Sequence, residues 1–220
     1  MAVVVVGGHS RSVGKTSVVA GLVRAMPEMR WTAVKVTQYG HGICSANGEA
    51  CDCQTADHRA AISVERDAAS GTDTSRYLAA GAERSLWVRT EQGHLAEAMP
   101  RLRKELAATE NAGGSAILES NSLMQFLRPD LYLAVLDPAN KDFKASALRF
   151  LDRADAVLWV GEEEQEVEWE NVSLKLIRGT PKFRVQAPSF LSDEVVEFVR
   201  ERMKQARDAG RSEQIKIRKK

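Results

Sequence analysis

The chain has 220 residues, and its 31 lysines and arginines nearly balance 30 aspartates and glutamates, so the formal net charge at pH 7 is +1. That balance gives no general attraction to nucleic acids or membrane surfaces, and we expect neither as a partner. No apolar run approaches the roughly 20 residues that span a bilayer, and the N-terminus lacks a signal-peptide pattern, so we expect a cytoplasmic protein.

The first predicted element is a buried parallel strand over residues 3–6, which are all valine and are followed by glycines. Residues 7–16 read GGHSRSVGKT, and an apolar helix that ends near Met26 is predicted after them. Glycines in such a turn let successive backbone N–H groups point inward, and the helix N-terminus adds a positive dipole. Strand, loop and helix together predict a Walker A motif, although Gly8 and Gly14 are one residue further apart than in its common form.

Side chains of this loop are predicted to contact phosphates and a metal ion. Lys15 is predicted to contact the β- and γ-phosphates of a nucleotide, and the Thr16 hydroxyl to be a ligand of Mg²⁺. An ordinary strand-to-helix turn that happens to contain lysine is the alternative. The residues predicted to bind the nucleotide are Gly8, Ser10, Ser12, Val13, Gly14, Lys15, Thr16 and Ser17.

The rest of the chain alternates between short apolar runs and helical patterns. Further strands are predicted over residues 31–36, 86–88, 116–118, 131–136, 156–160 and 183–187. Further helices are predicted over residues 55–69, 75–80, 95–109 and 146–153, and from an N-cap at Ser192. This alternation is typical of an α/β fold of three layers, with a mostly parallel central sheet and helices on both faces.

Length and composition favour one phosphate-binding domain over residues 1–208. Residues 39–57 show no helical or strand period and are predicted to be a functional loop. Residues 161–171 are acidic and are predicted to be a solvated connection, with a recognition role as the alternative. Residues 209–220 are predicted to be a frayed basic tail, with a weak contact to phosphate or an anionic surface as the alternative.

Two residues at predicted strand ends complete the candidate catalytic set with Lys15. Glu119 follows the run 116–118, and the carboxyl end of a central strand would bring it beside Thr16 as the second Mg²⁺ ligand. A glutamate that faces solvent or caps a helix is the alternative. Lys35 is predicted to lie near the γ-phosphate or an anionic substrate, unless its ammonium merely reaches solvent from the strand end. Asp52 and Asp57 are candidates for contacting Mg²⁺ or water.

A second group of candidate ligands lies in the loop of residues 39–57. Three thiolates and one imidazole satisfy a tetrahedral metal, so Zn²⁺ or an iron–sulfur cluster is one hypothesis for this loop. Reduced thiols in a plain loop, or redox sensing by exposed cysteines, are the alternatives. The other histidines, His9 and His94, show no partner pattern and are predicted to be loop or surface residues. The candidate ligands are His41, Cys44, Cys51 and Cys53, with His58 following them.

The loop Gly8-x5-Gly14-Lys15-Thr16 resembles that of dethiobiotin synthetase and its relatives, the SIMIBI class of P-loop NTPases that includes MinD, ParA and several metallocentre-assembly GTPases. Residues 33–41 (AVKVTQYGH) are similar to the second strand of the molybdopterin-guanine dinucleotide biosynthesis adaptor family, MobB, as are GTDTSR at 71–76 and AGA at 80–82. Ser10 replaces the early lysine of MinD-type loops, and Ser120-Asn121 replace the glycine after the acid.

This resemblance covers about residues 1–160 and implies Mg²⁺-dependent binding and slow hydrolysis of GTP or ATP, in support of molybdenum-cofactor-like biosynthesis or delivery. It also implies a cofactor-biosynthesis enzyme as partner, and a homodimer. Two alternatives stay open: a ligase like dethiobiotin synthetase, with a carboxylate or carbamate held near Lys35, and a non-catalytic module that binds nucleotide or metal. Residues 140–142 (NKD) are the candidate for contacting the base.

Overall fold

The structure is a computed structural model that describes residues 1–39, 59–161 and 169–218, with side chains through residue 208. Most of the predicted loop of residues 39–57 lies outside these ranges. The hypotheses of a metal-binding or redox-active loop, and the suggested roles of Asp52 and Asp57, therefore stay predictions. The residues concerned are His41, Cys44, Cys51, Asp52, Cys53, Asp57 and His58.

The described residues build one eight-stranded sheet in the order β3-β4-β2-β5-β1-β6-β7-β8. All neighbours pair in parallel except β3 and β4, which are antiparallel. Strand β1, which precedes the predicted Walker A loop, lies at the centre, between β5 and β6. The strands are β1 (Val3–Gly8), β2 (Trp31–Tyr39), β3 (Ala60–Val64), β4 (Arg84–Glu91), β5 (Ser115–Glu119), β6 (Leu131–Leu136), β7 (Ala156–Val160) and β8 (Lys182–Val185).

Helices cover both faces of this sheet. Val4 and Val6 of β1 point into one core with residues of α1, α2 and α5, whereas Val5 points into the other core with α3. This alternation is the period of two expected of a strand buried on both faces. The predicted three-layer α/β fold is thereby confirmed. The helices are α1 (Lys15–Ala25), α2 (Asp73–Ala79), α3 (Leu95–Asn111), α4 (Ala145–Leu148) and α5 (Asp193–Arg218).

Two predicted helices differ from the structure. Within residues 55–69 the described part contains the strand β3, which pairs with β4 from Ala60 opposite Thr90 to Val64 opposite Leu86. Pairing with a remote strand decides this conformation, and local sequence carries no record of it. Residues 146–153 form the short helix α4 and a separate 3₁₀ turn, Leu151–Arg153, instead of one helix.

The predicted domain plan stays a prediction, and the structure adds detail at two of its boundaries. Helix α5 runs from Asp193 through Arg218, across residue 209, where the basic tail is predicted to start. At the end of the acidic segment Trp169 is 6% exposed, and its indole N–H donates to the carbonyl of Asn140 at 2.8 Å. Within the described ranges, no helix combines the length and apolar character that crossing a membrane requires.

Candidate functional site

The loop between β1 and α1 has a backbone conformation that is typical of anion-binding turns. Ser12 and Gly14 both have positive φ, at 56° and 90°, and such turns produce concave arrangements of amides. Helix α1 begins after Gly14 with no side-chain cap and no acidic residue in its first turn. The first N–H groups of a helix have no partner within the helix, so those of α1 are suited to an anion.

Asn121 fixes the start of this loop. Its Oδ1 accepts from the Gly8 N–H at 2.9 Å, and its Nδ2 donates to the Gly8 carbonyl at 2.8 Å. A Cβ at Gly7 would lie 2.2 Å from Oδ1 of Asn121, so glycine is required for this approach. In the sequence Asn121 stood out only as a departure from a family pattern, with no sign of this role.

His9 lies in the loop after β1, as predicted, but its side chain is buried and has partners, contrary to the expected surface position. Its Nδ1 lies 2.7 Å from the carbonyl oxygen of Asp142, and its Nε2 accepts from the N–H of Asp137 at 2.9 Å. Burial lowers the pKa of His9, which keeps the imidazole neutral. Its ring also packs against Phe143 and Trp169, with centroids 5.2 and 4.8 Å away. These partners come from distant segments, which is why local sequence gave no sign of them.

Ser10 and Val13, both predicted nucleotide-binding residues, have buried side chains. The Ser10 hydroxyl donates to the carboxylate of Asp142 at 2.5 Å, and Val13 belongs to the core beneath α1. Their side chains therefore hold the loop in place. Asp142 is tied to the loop by this bond, and its N–H donates to Oδ1 of Asn140 at 3.0 Å.

Lys15 lies over the loop with its ammonium 2.5 Å from the Ser10 carbonyl. Burial, together with the positive charges of Lys144 and Lys35, lowers the pKa of Lys15 to about 8 against the opposing charge of Glu119. Burial disfavours the charged form of a lysine, and a nearby anion would stabilise that charged form. The position suits a lysine that contacts phosphate.

Glu119 stands at the end of β5 as predicted and is 3% exposed. Its Oε2 accepts from the Thr16 hydroxyl at 2.8 Å and from the hydroxyl of Tyr77. Its Oε1 accepts from the Lys35 ammonium at 2.5 Å. The tertiary structure therefore brings together the three residues that the sequence placed at one sheet edge: Thr16, Lys35 and Glu119.

Lys35 points into this cluster instead of reaching solvent. Its ammonium lies 2.9 Å from Oδ2 of Asp73 and 3.3 Å from Oγ1 of Thr16, and its side chain is 18% exposed. Burial by itself would lower the pKa of Lys35, but the charges and hydrogen bonds of Glu119 and Asp73 outweigh it and raise the pKa. The cation is thus held by three oxygen-bearing side chains from three elements.

Helix α2 supplies three contacts that the sequence analysis did not assign. Asp73, Arg76 and Tyr77 have the spacing that places side chains on one helix face. Asp73 contacts Lys35 as described, Nη2 of Arg76 donates to the Ser17 hydroxyl at 3.0 Å, and Tyr77 contacts Glu119. The sequence signal for these contacts was the segment GTDTSR, whose similarity to a family segment gave its residues no role.

A cavity of about 1370 Å³ joins these groups. Its lining includes Phe190, which packs close to Gly14, and Lys144. Lys35, Gln38 and Gln92 also line it. Ligand pockets are commonly about 300–1,000 Å³, so this cavity exceeds the usual range for one ligand. The predicted loop residues that line it are Gly8, Ser12, Gly14, Lys15, Thr16 and Ser17.

The oxygen atoms of the cluster fit a magnesium ion that is shared with phosphates. Mg²⁺ prefers oxygen ligands and is commonly held by one or two carboxylates plus substrate phosphates. Thr16, Asp73 and Glu119 supply a hydroxyl and two carboxylates within reach of the same ammonium. In the described part of the chain, no three His, Cys, Asp or Glu side chains come close enough to form a metal site by themselves.

No family model matches the chain, and no curated protein matches it. Among solved structures, HypB from Helicobacter pylori in complex with nickel is similar, with 15% identity, a TM-score of 0.45, and coverage of 92% of this chain and 87% of HypB. LpxK from Aquifex aeolicus in complex with ATP is also similar, with 19% identity and a TM-score of 0.44. That match covers 84% of this chain and 53% of LpxK, so the chain spans about half of LpxK. The interpretation of the site depends on the geometry of the chain's own residues.

Proposed function

We propose that this chain binds GTP or ATP together with Mg²⁺ at the loop of residues 8–17 and slowly hydrolyses the bond between the β- and γ-phosphates. The observation that carries the proposal is the contact of Thr16 with Glu119. It brings a hydroxyl from the first turn of α1 within 2.8 Å of a buried carboxylate, beside a helix N-terminus that has no cap. A hydroxyl, an acid and a phosphate loop in one place are the parts that phosphoryl chemistry requires.

Each group has a role that follows from its chemistry. The loop amides and the Lys15 ammonium would hold the β- and γ-phosphates, and Thr16, Glu119 and Asp73 would hold the metal. Mg²⁺, when bound, neutralises charge on the phosphate oxygens. Lys35 would stabilise negative charge that develops on the γ-phosphoryl group, a role supported by the 3.3 Å between its ammonium and Oγ1 of Thr16.

Phosphoryl transfer to a second substrate is the other candidate, and the size of the cavity favours it. Beyond Lys35 the cavity continues along Thr37 and Gln38 to Gln92 and Gln125, which leaves room for an acceptor beside the nucleotide. Turnover of nucleotide in the absence of an acceptor supports hydrolysis, whereas turnover only with an acceptor supports transfer. The metal-cofactor role, the cofactor-biosynthesis partner and the homodimer follow from the resemblance alone and stay predictions.

Thermal unfolding with and without nucleotides tests the proposal. We expect GTP or ATP with Mg²⁺ to raise the unfolding temperature of the parent, since a ligand at 100 times its Kd stabilises a fold by about 2.7 kcal/mol. Lys15→Ala should abolish that rise, whereas Lys204→Ala, which alters an exposed lysine of α5, should preserve it. If the parent shows no rise, or if Lys15→Ala keeps it, the proposal is wrong.

The pKa of Lys15 adds a second test of the same site. Because burial lowers that pKa to about 8, the ammonium is lost as the pH rises above this value. We therefore expect the affinity for triphosphate, measured by calorimetry, to fall as the pH is raised from 7 to 9. An affinity that stays constant over this range would show that Lys15 does not contact the phosphates.

A further inference from the structure

Tyr77 is a fully buried residue that contacts Glu119 and has no role in the proposed mechanism. Tyr77 is 0% exposed, and its hydroxyl donates to Oε2 of Glu119, the same oxygen that accepts from Thr16. We infer that Tyr77 is a positioning residue, which holds the Glu119 carboxylate in the orientation that binds the metal of a metal–nucleotide complex. The inference rests on the proposed function, because a fixed carboxylate matters there only if a metal–nucleotide binds.

The hydroxyl of Tyr77 is the donor of its hydrogen bond with Glu119, because a carboxylate can only accept. A phenol ordinarily loses its proton only near pH 10, so this donor is present at neutral pH. With Tyr77 and Thr16 on one oxygen and Lys35 on the other, the carboxylate has a defined orientation.

Helix α2 is itself anchored, so the Tyr77 hydroxyl has a fixed position. At the start of the helix, Oγ1 of Thr72 accepts from the Ser75 N–H at 3.0 Å. The Thr72 and Thr74 hydroxyls donate to the carboxylate of Glu65 at 2.8 and 3.0 Å. These bonds tie α2 to the segment that precedes it.

A second anchor joins α2 to the sheet, since the hydroxyl of Ser85 in β4 donates to the carbonyl of Thr74 at 2.9 Å. The same helix also places Asp73 on Lys35 and Arg76 on Ser17. A rigid helix that contacts the acid, the lysine and the phosphate loop is suited to aligning them. Partners that orient metal ligands typically contribute about 10- to 100-fold to metal affinity or activity.

The variant Tyr77→Phe tests this role because it removes the hydroxyl and keeps the ring that packs in the core. Two quantities are measured: the Kd of nucleotide in EDTA, and the Mg²⁺ concentration that gives half of the Mg²⁺-dependent hydrolysis or nucleotide stabilisation. We expect the Mg²⁺ concentration to rise by about 10- to 100-fold. The nucleotide Kd in EDTA should stay unchanged, because the loop and Lys15 are intact.

Thr109→Val is the control. It removes a buried hydrogen bond from α3 to Thr32 of β2 that involves neither α2 nor Glu119, so it should lower stability and leave the Mg²⁺ dependence as in the parent. If Tyr77→Phe shows the Mg²⁺ dependence of the parent, or loses nucleotide affinity equally with and without Mg²⁺, the inference is overturned. If the parent itself shows no Mg²⁺-dependent nucleotide binding, the proposed function fails instead.

A spectroscopic measurement keeps the inference testable if Tyr77→Phe does not fold. The chain has 3 tyrosines, so protein labelled with 3-fluorotyrosine gives three ¹⁹F resonances, which Tyr39→Phe and Tyr132→Phe assign by difference. We expect the Tyr77 resonance to shift when Mg²⁺ is titrated into the nucleotide complex. A Tyr77 resonance that does not move at saturating Mg²⁺ would also overturn the inference.

Discussion

Replacing Lys35 with methionine removes the cation of the buried cluster while keeping the length of the side chain. Glu119 is 3% exposed and would be left without the ammonium that lies 2.5 Å from its Oε1. Removal of one partner from a buried ion pair typically costs about 3–5 kcal/mol, because the other charge stays buried. We expect about 3 kcal/mol here, near the lower limit, since Thr16 and Tyr77 continue to donate to Glu119.

Mg²⁺ should reverse this loss in the variant. Without Lys35, the oxygens of Thr16, Asp73 and Glu119 are open to another cation, and Mg²⁺ at 100 times its Kd would restore about 2.7 kcal/mol. In the parent, Lys35 contacts the same oxygens and opposes the metal, so Mg²⁺ without nucleotide should have little effect.

Urea unfolding with and without Mg²⁺ measures both effects on the free energy of unfolding. In thermal unfolding without Mg²⁺, the unfolding temperature of Lys35→Met should lie about 6–12 °C below that of the parent. Lys104→Met, an exposed lysine of α3, is the control and should unfold like the parent in both conditions. A Lys35→Met variant as stable as the parent without Mg²⁺, or stabilised by Mg²⁺ no more than the parent is, would refute this account of the cluster.

Two further substitutions address the loop and the anchor of α2. Gly14→Ala would place a Cβ 2.3 Å from Cδ1 of Phe190 at φ +90°, so its free energy of unfolding should fall by about 1–3 kcal/mol and nucleotide binding should weaken. Gly81→Ala is the control, since it carries similar backbone strain at φ +104° but its Cβ would have no atom within 4 Å. An equal loss of unfolding free energy in both variants would exclude a steric role of Phe190. For Glu65, hydrogen bonds from Asp67, Thr72 and neighbouring groups outweigh burial and lower its pKa from 4.5 to about 2. Glu65→Gln should therefore lower the free energy of unfolding by about 1 kcal/mol at pH 7, with solvent screening taken into account. Urea unfolding should show the difference between parent and variant vanish as the pH falls from 4.5 toward 2. A difference that is independent of pH would contradict this account of Glu65.

The local sequence determined the centre of the fold and part of the site. Residues 3–16 specify a strand, a turn and a helix start, because each of these elements depends on neighbours along the chain. The strand comes from the valines of residues 3–6, the turn from the glycines after them, and the helix start from Lys15-Thr16. The period of the apolar runs likewise predicted the parallel sheet and placed Glu119 at a strand end. These features need no information about distant contacts.

Only the tertiary structure decided which side chains surround the acid and the loop. Tyr77 reaches Glu119 across 42 residues, Asn121 reaches Gly8 across 113, and His9 is buried by a segment 133 positions away. Residues 60–64 became a strand for the same reason, since their partner is β4. Contacts between segments so far apart leave no periodic or compositional mark in the local sequence. The strand, loop and helix start around residues 3–16 could therefore be predicted from neighbouring residues, whereas the polar cluster around Glu119 could not.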